Sequence, residues 1–482
     1  MYRNKRAIAG AGVVALAALV LVALAVGGVF SSGASADSPT AAKAPKAAKA
    51  ADVALTTKVV SSKEQDPFGV PKGGAAIKDP APPGEPTLAP QIATKTTTRL
   101  YGANPYEEAV SVTQHIWPAA LPENAPNENN NDPDRPWGVT LVTPDDPLTA
   151  ITATPLIHFP DDAPILYVNK NGIPAITLNE LKRLGDTGIS RYHNVDAFLV
   201  GSAANSSVER QLTAIGMKYV TVTASNIPQL ADNVDRLYST IEGGVPSMEN
   251  GAQDVFIGSM DGKAYQYLLP ATHWVAHMSS GLFWVSKNSV PSATIDALQR
   301  RNGNARIYLF GGTNEISANV AQQLGKYGTV IRITNDNEVA YNAPPKDNPV
   351  DLSIVFAKMW DTAGQVGWNI DGPGHGFTLV NVNDWQGAVA SAPLSHLGFH
   401  APLLLTDSAT KLPSALDSYF TEVAPTFLLT PAEGPYNMTY AIGSWKQISW
   451  GEQARVDYVS EMSPRRLWSN GHGGRYSDGG QP

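Results

Sequence analysis

One pattern recurs three times along residues 96–482 and constrains the fold of this 482-residue chain. Each copy has a short apolar strand, an aspartate and, nine residues later, a proline. Next come a second apolar strand and a proline before a helix. The copy closes with a third strand that ends in glycine, and a serine lies six residues after that glycine. The matching positions are Asp146, Asp261 and Asp384; Pro155, Pro270 and Pro393; Gly201, Gly311 and Gly443; and Ser207, Ser317 and Ser449.

The strands of this pattern are apolar along their whole length. The first strands are predicted at Val139–Thr143, Asp254–Gly258 and Phe377–Asn381, and the second at Ala163–Val168, Gly281–Val285 and Ala401–Thr406. Fully apolar strands that alternate with helices indicate parallel sheets covered on both faces. The period is far longer than the roughly 20–50 residues of a solenoid repeat, so each copy is predicted to be a small α/β domain.

Helix starts are marked by proline and by hydroxyl side chains. Pro174, Pro291 and Pro413 are predicted in first helical turns, where a missing N–H costs nothing. The serine after each glycine is predicted to cap a helix. Ser206-Ser-Val-Glu209 and Ser449-Trp-Gly-Glu452 also fit the capping box, in which serine and glutamate bond each other's backbone N–H groups.

Composition divides the chain into six segments. Three basic residues, a long apolar run and an A-x-A site at Ala34–Ala36 predict an export signal, either cleaved or kept as a membrane anchor. Both alternatives place the remainder outside the cytoplasm, and any membrane contact is expected only through an uncleaved segment. The predicted segments are the signal peptide or signal anchor (1–36), an Ala/Pro/Lys-rich linker (37–95), repeat 1 (96–222), repeat 2 (223–330), repeat 3 (331–463) and a disordered tail (464–482).

Charge and composition exclude several classes of protein. Residues 96–482 hold 24 basic and 37 acidic residues, which argues against binding nucleic acid through its phosphates. The chain has no cysteine, so disulfide scaffolds, zinc ribbons and thiol nucleophiles are excluded. The sequence also contains no G-x-S-x-G, H-E-x-x-H or G-x-x-x-x-G-K-[ST] motif.

Three groups of residues resemble motifs of the cell wall-binding repeat type 2 family. Arg99-Leu-Tyr-Gly102, followed by Tyr106 and Ala109, is similar to its R-x-x-G-x-x-R-Y-x-T-A opening. The segments Ala388–Leu394 and Ala401–Thr406 are similar to its "DAL-x-A-x-PLA … PILLT" centre, and Phe310–Ser317 and Tyr440–Ser449 to its "GG-x-x-x-[IV]S" close.

The resemblance implies three Rossmann-like parallel-sheet subdomains with pseudo-threefold symmetry. It also implies non-covalent binding to an anionic glycopolymer of a Gram-positive wall or to material associated with peptidoglycan. The candidate ligand contacts are Arg99, Pro164, Ile165, Leu166, Arg332, Pro402, Leu403 and Leu404. Because the body is acidic, recognition of an anion would need local Arg/Lys clusters or a bridging divalent cation, which is the one cofactor that the sequence leaves open.

The histidines and tryptophans are further candidates. Each copy contains Pro-x-x-His, at His158, His273 and His396. These three side chains could bind a metal ion if the helices converge on the symmetry axis, or they could be partly buried helix positions kept by repetition. Tryptophans concentrate in the last third, where they could contact a glycan or pack in cores: Trp360, Trp368, Trp385, Trp445, Trp450 and Trp468.

Three functions remain open on the sequence. The first is an exported, non-catalytic protein that binds the cell wall or cell surface. The second is a hydrolase of wall material that uses Asp or His side chains at the strand ends. The third is a structural protein like those of surface layers, which associates with itself through its acidic face and divalent cations.

Overall fold

The computed structural model describes the body of the chain with gaps, at residues 72–73, 92–120, 134–242, 253–333, 347–397, 400–426 and 435–463. The predicted signal (1–36), most of the predicted linker and the predicted tail lie outside the described residues. Within the described stretches, no helix has both the length and the apolar character needed to cross a membrane. The role of residues 1–36 therefore stays a prediction.

The described strands and helices alternate through most of the body. The strands are β1 (Lys72–Gly73), β2 (Ile92–Ala93), β3 (Thr97–Leu100), β4 (Val139–Val142), β5 (Ile165–Tyr167), β6 (Ala197–Val200), β7 (Lys218–Val222), β8 (Asp254–Ser259), β9 (Gly281–Val285), β10 (Ala305–Leu309), β11 (Gly328–Arg332), β12 (Gly376–Asn381), β13 (Leu403–Thr406) and β14 (Met438–Ile442). The α-helices are α1 (Pro105–Ile116), α2 (Pro147–Thr152), α3 (Ala175–Leu184), α4 (Ser206–Ala214), α5 (Ile227–Glu242), α6 (Leu269–His277), α7 (Ser292–Gln299), α8 (Ala318–Leu324), α9 (Pro349–Lys358), α10 (Trp385–Ala390), α11 (Ser414–Glu422) and α12 (Trp450–Ser460). Short 3₁₀ turns lie at Thr154–Ile157, Gly201–Ala203, Ala264–Leu268 and Ala392–Ser395.

The strands form three sheets that share one topology. Their spatial orders are β5-β4-β6-β7, β9-β8-β10-β11 and β13-β12-β14-β3, and all of these pairings are parallel. Every residue of β4, β8 and β12, the first strand of each sheet, is buried. The predicted α/β class with three parallel-sheet subdomains is confirmed.

Two short strands add antiparallel edges to these sheets. β1 pairs with β7, and β2 pairs with β3. Both lie within residues 37–95, so the segment predicted to be an extended linker contributes two edge strands to the described body.

The third sheet takes its fourth parallel strand from the beginning of the body. β3 pairs with β14 in parallel, with Leu100 opposite Ile442. It holds the place that β7 and β11 hold in the first two sheets. The segment predicted to open repeat 1 thus completes the third subdomain, and the described chain closes into a ring.

The helix that follows each fourth strand packs on the next subdomain. α5, after β7, contacts β9 and α7 of the second subdomain, and α9, after β11, contacts β13 and α11 of the third. α1, after β3, contacts β5 and α3 of the first. Each subdomain therefore depends on its neighbour for part of its covering layer.

Helix starts lie close to their predicted positions. Pro174, Pro291 and Pro413 are the N-cap residues directly before a helix, and not residues of its first turn as predicted. Ser317 and Ser449 cap α8 and α12 as predicted. At the first copy the prediction is wrong, because the side chain of Asn205 caps α4 and Ser207 lies inside that helix.

The capping-box predictions hold only in part. The Oγ of Ser449 accepts a hydrogen bond from the N–H of Glu452 at 3.1 Å. The Glu452 carboxylate does not return to the Ser449 N–H; it accepts from the Thr406 hydroxyl at 2.7 Å. The box predicted at Ser206–Glu209 is not formed, because Asn205 is the cap and Ser206 lies inside α4; Glu209 accepts instead from the Tyr219 hydroxyl at 3.3 Å.

The first helices of the three copies meet at the centre of the ring, where α6 contacts the turns Thr154–Ile157 and Ala392–Ser395. Side-chain hydrogen bonds connect the subdomains around this centre. The Trp284 Nε1–H donates to the Thr152 hydroxyl at 2.7 Å, and the Tyr167 hydroxyl donates to the Gln386 carbonyl at 2.7 Å. The subdomains therefore form one continuous core.

Replacing Asp235 by alanine should destabilise the junction between the first two subdomains. The carboxylate accepts from the Arg301 Nη2 at 2.7 Å and from the Arg300 Nη2 at 2.6 Å. The substitution would leave the buried charge of Arg301 without a carboxylate partner. We therefore expect the free energy of unfolding, measured by urea titration, to fall by about 3–5 kcal/mol. The matched control is Asp417→Ala, whose ion pair with Arg455 is partly exposed and should contribute no more than about 1 kcal/mol. Equal losses in the two variants would contradict this role.

Candidate functional site

The carboxyl ends of the parallel strands form the candidate site in each subdomain. In open parallel sheets, ligands bind outside the carboxyl ends, where the strand order reverses. Here that point lies between the first and third strands, β4 and β6, β8 and β10, and β12 and β14. The repeated aspartate follows the first strand of each pair, and the repeated glycine follows the third.

Each of the three repeated aspartates accepts a hydrogen bond from a backbone N–H group. Asp146 caps α2, with Oδ1 accepting from the Leu148 N–H at 3.0 Å. Asp384 caps α10, with Oδ1 accepting from the Gly387 N–H at 3.2 Å. Asp261 caps no α-helix, and its Oδ2 accepts instead from the Lys287 N–H at 2.8 Å.

Asp384 also belongs to a buried pair of carboxyl groups. Burial raises the pKa of Glu108 well above its ordinary value, and the charge of Asp384 raises it further. Burial raises the pKa of Asp384 to about 6. Both groups surround Gly387, where a Cβ atom would lie 2.6 Å from the Glu108 Oε1 and 2.9 Å from the Asp384 Oδ2. Glu108 lies on α1, so this pair also connects the segment that contains β3 and α1 to the rest of the third subdomain.

Arg99 and Arg332 occupy equivalent positions on the fourth strands of the third and second subdomains. Arg99 lies opposite Ala441, and Arg332 lies opposite Leu309. Ala441 and Leu309 each lie two residues before the repeated glycine of their own strand. The equivalent residue in the first subdomain is Thr221, opposite Leu199. Two of the three subdomains thus carry an arginine at the carboxyl edge.

These arginines hold the loop between the repeated glycine and the serine. The Arg332 Nη1 donates to the carbonyls of Gly311 and Gly312, and its Nη2 donates to Ile316 at 2.8 Å. In the third subdomain the Arg99 Nη1 donates to the Gly443 carbonyl at 2.5 Å. Both side chains, predicted as ligand contacts, therefore have backbone carbonyls as partners.

Arg99 is fully buried and is fixed by three groups. Besides Gly443, it donates through Nη2 to the Ile448 carbonyl at 2.7 Å and through Nε to the Gln453 Oε1 at 2.9 Å. Burial lowers its pKa to about 10, so it stays charged at neutral pH. Its guanidinium carbon lies 3.9 Å from the ring centroid of Trp445, a cation–π contact.

The apolar segments predicted to contact ligand lie in the cores. Ile165, Leu166, Leu403 and Leu404 are buried in β5 and β13, and the prolines before these strands, Pro164 and Pro402, are buried as well. In the described structure these residues stabilise the sheets. Contact with a ligand would have to come from residues beyond the strand ends.

The structure brings together two of the three histidines proposed as metal ligands. The rings of His158 and His396 lie 5.0 Å apart, and the His396 Nε2 lies 2.7 Å from the Asp162 Oδ1. The ring nitrogens of His273 instead face the carbonyls of Ala401 and Ala388, at 3.0 and 3.3 Å. Among the described residues, no group of three or more His, Asp or Glu side chains is placed to hold a metal ion.

The first two subdomains have open clefts at this edge. A cleft of about 470 Å³ lies beside Asp146, Gly201 and Thr223, where the first subdomain lacks the arginine. A cleft of about 400 Å³ lies beside Asp261 and Lys287 in the second. Polar side chains line both clefts, so this edge can accept hydrogen-bonding groups. Sequence patterns marked the aspartates and glycines but gave no signal for the clefts, which depend on side chains from separate loops.

Comparison with known proteins supports the fold. No known family profile matches the chain, and no curated protein does. The solved structure of Cwp6 from Clostridium difficile is similar, with a TM-score of 0.54 and 17% identity over 76% of this chain and 47% of that chain. Cwp8 from Clostridium difficile gives a TM-score of 0.53 and 14% identity over 76% of this chain and 52% of that chain. This chain therefore spans about half the length of these two proteins and shares their fold.

Proposed function

We propose that this protein is an exported, non-catalytic component of the cell surface that binds a glycopolymer associated with the bacterial wall. The observation that carries the proposal is the three-subdomain fold shared with Cwp6 and Cwp8, taken together with motifs that resemble the cell wall-binding repeat type 2 family. The predicted export signal is consistent with a place outside the cytoplasm.

The hydrogen bonding of the carboxyl edge supports a binding role. Asp146 and Asp384 are engaged as helix caps, and Asp261 is bonded to the backbone of the next strand's loop. The two arginines are bonded to backbone carbonyls. These side chains fix the shape of the edge, and the clefts beside them offer polar surface to a hydroxylated ligand.

Retention on purified wall sacculi tests this function. We expect the protein to sediment with intact sacculi of a Gram-positive bacterium. With sacculi from which the acidic polymers have already been extracted, we expect it to stay in the supernatant. The control is a protein of similar acidity and size without this fold. Failure to sediment with every wall preparation tried would contradict the proposal, and release of soluble wall fragments during the incubation would favour a hydrolase.

A further inference from the structure

Two neighbouring tryptophans are exposed at the carboxyl edge of the third subdomain. Trp445 is 36% exposed and Trp450 is 49% exposed. Their ring centroids lie 5.8 Å apart with an interplanar angle of 82°. The two indoles therefore form the walls of a corner at the surface, and their apolar area in contact with water contributes nothing to the core.

The corner is held rigidly. Arg99 covers one face of Trp445, and Arg99 is itself fixed by its bonds to Gly443, Ile448 and Gln453. Trp450 begins α12, which Ser449 caps. Aromatic groups that are fixed before binding lose little conformational entropy when a ligand stacks on them.

Positive charge accompanies the tryptophans. Lys446 lies beside Trp445 in the same loop, and Lys411 lies in the loop that follows β13; both lysines are exposed. The two loops are joined by Ser449, whose N–H donates to the Ala409 carbonyl at 3.1 Å and whose Oγ donates to the Thr410 carbonyl at 3.2 Å. Neither lysine forms an ion pair with a described residue, and the exposed carboxylate of the second loop is Asp407.

This combination occurs in one of the three copies. Counting from the repeated glycine, the position of Trp445 is Ala203 in the first copy and Thr313 in the second. Counting from the repeated serine, the position of Trp450 is Val208 and Ala318. The remaining copies therefore offer no equivalent aromatic corner.

We propose that Trp445 and Trp450 form a binding platform for a sugar ring that bears an acidic group, with Lys411 and Lys446 facing that group. The C–H face of a pyranose stacks on an indole, and the ammonium groups attract the acid. This inference rests on the proposed function and names the ligand class and the binding residues. It also supplies the local positive charge that an acidic body needs in order to bind an anionic polymer.

The test compares Trp445→Ala/Trp450→Ala with Trp360→Ala in retention on polymer-bearing sacculi. Trp360 is 46% exposed and lies on another loop, so it controls for the loss of a surface tryptophan. We expect the double variant to bind at least about tenfold more weakly and Trp360→Ala to bind like the wild type. Trp445→Phe/Trp450→Phe should keep most of the affinity, because it retains aromatic faces. Lys411→Gln/Lys446→Gln should remove much of the salt dependence.

The outcomes separate this inference from the proposed function. If the double alanine variant binds as well as the wild type, the platform is overturned while wall binding stands. If the wild type is not retained, the proposed function itself fails. If the double variant keeps its retention but changes its mass in solution, the corner is a contact between copies of the chain, which also overturns the platform.

Discussion

Arg99→Met is expected to destabilise the protein by about 3–5 kcal/mol, since several buried partners lose their donor at once. The carbonyls of Gly443 and Ile448 and the Gln453 side chain would face an apolar group. Methionine fills similar space, so the loss reports hydrogen bonding and charge more than a cavity. Chemical denaturation followed by circular dichroism measures it.

Arg332→Met is the matched control for this prediction. Arg332 makes the same kind of bonds in the second subdomain, but it is only partly buried, so water can reach the carbonyls that it leaves. We expect a loss of about 1–2 kcal/mol. If Arg99→Met lowers the free energy of unfolding no more than Arg332→Met does, Arg99 does not fix β3 in the way described.

Acid is expected to destabilise the centre of the ring through His158. Burial, together with the nearby His396 and His277, lowers the pKa of His158 to about 3. The unfolded chain binds the proton near pH 6.5, so the contribution of neutral His158 is complete above that pH and is lost as the pH falls towards 3. From pH 7 to pH 5 this single group should lower the free energy of unfolding by about 2 kcal/mol.

Comparing variants separates the effect of His158 from that of groups whose titration changes the stability in the opposite direction. The raised pKa values of Glu108 and Asp384 favour the folded state as the pH falls, in wild type and variant alike. His158→Asn should therefore lose about 2 kcal/mol less than the wild type between pH 7 and pH 5. Tyr238→Phe, which removes the hydroxyl 2.5 Å from the His158 Nδ1, should keep the wild-type slope. Parallel curves for His158→Asn and wild type would contradict the assignment.

Local sequence patterns predicted the elements of the fold well. The strand predicted at Gly281–Val285 has those bounds in the structure. The strands Asp254–Ser259 and Gly376–Asn381 are each one residue longer than predicted, and the other three are shorter by one to three residues. Buried strands need apolar side chains on both faces, and helix starts need particular capping groups, so both leave local marks. At the first copy two capping residues stood close together, and Asn205 supplied the cap that Ser207 was predicted to supply.

The partners of these elements could not be predicted in the same way. In β3, which reads Thr-Thr-Arg-Leu, only Leu100 is apolar, and nothing in this sequence indicates that the strand pairs with β14, more than 300 residues later. The ring closure follows from this long-range pairing. The proposed metal site depended on the same kind of information, because the convergence of three helices does not fix where each imidazole points.

The same distinction applies to the residues of the candidate site: local patterns indicate some of their roles, and others depend on contacts between distant parts of the chain. The repeated glycine and aspartate mark the carboxyl edge, whereas the burial of Pro164–Leu166 and Pro402–Leu404 shows that a motif can recur because it builds a core strand. Arg99, predicted as a ligand contact, has as its partners the carbonyls of Gly443 and Ile448, in the loop that carries Trp445. Distinguishing these roles requires knowledge of which side chains reach solvent.

Titration of the purified protein with soluble glycopolymer, released from sacculi that retain it, tests the central claim most directly. We predict saturable binding that weakens as salt is added, because an anionic polymer would meet lysines on an otherwise acidic body. Binding should also weaken in Trp445→Ala/Trp450→Ala. Absence of saturable binding to the polymer, with equal retention on intact and polymer-free sacculi, would contradict the account.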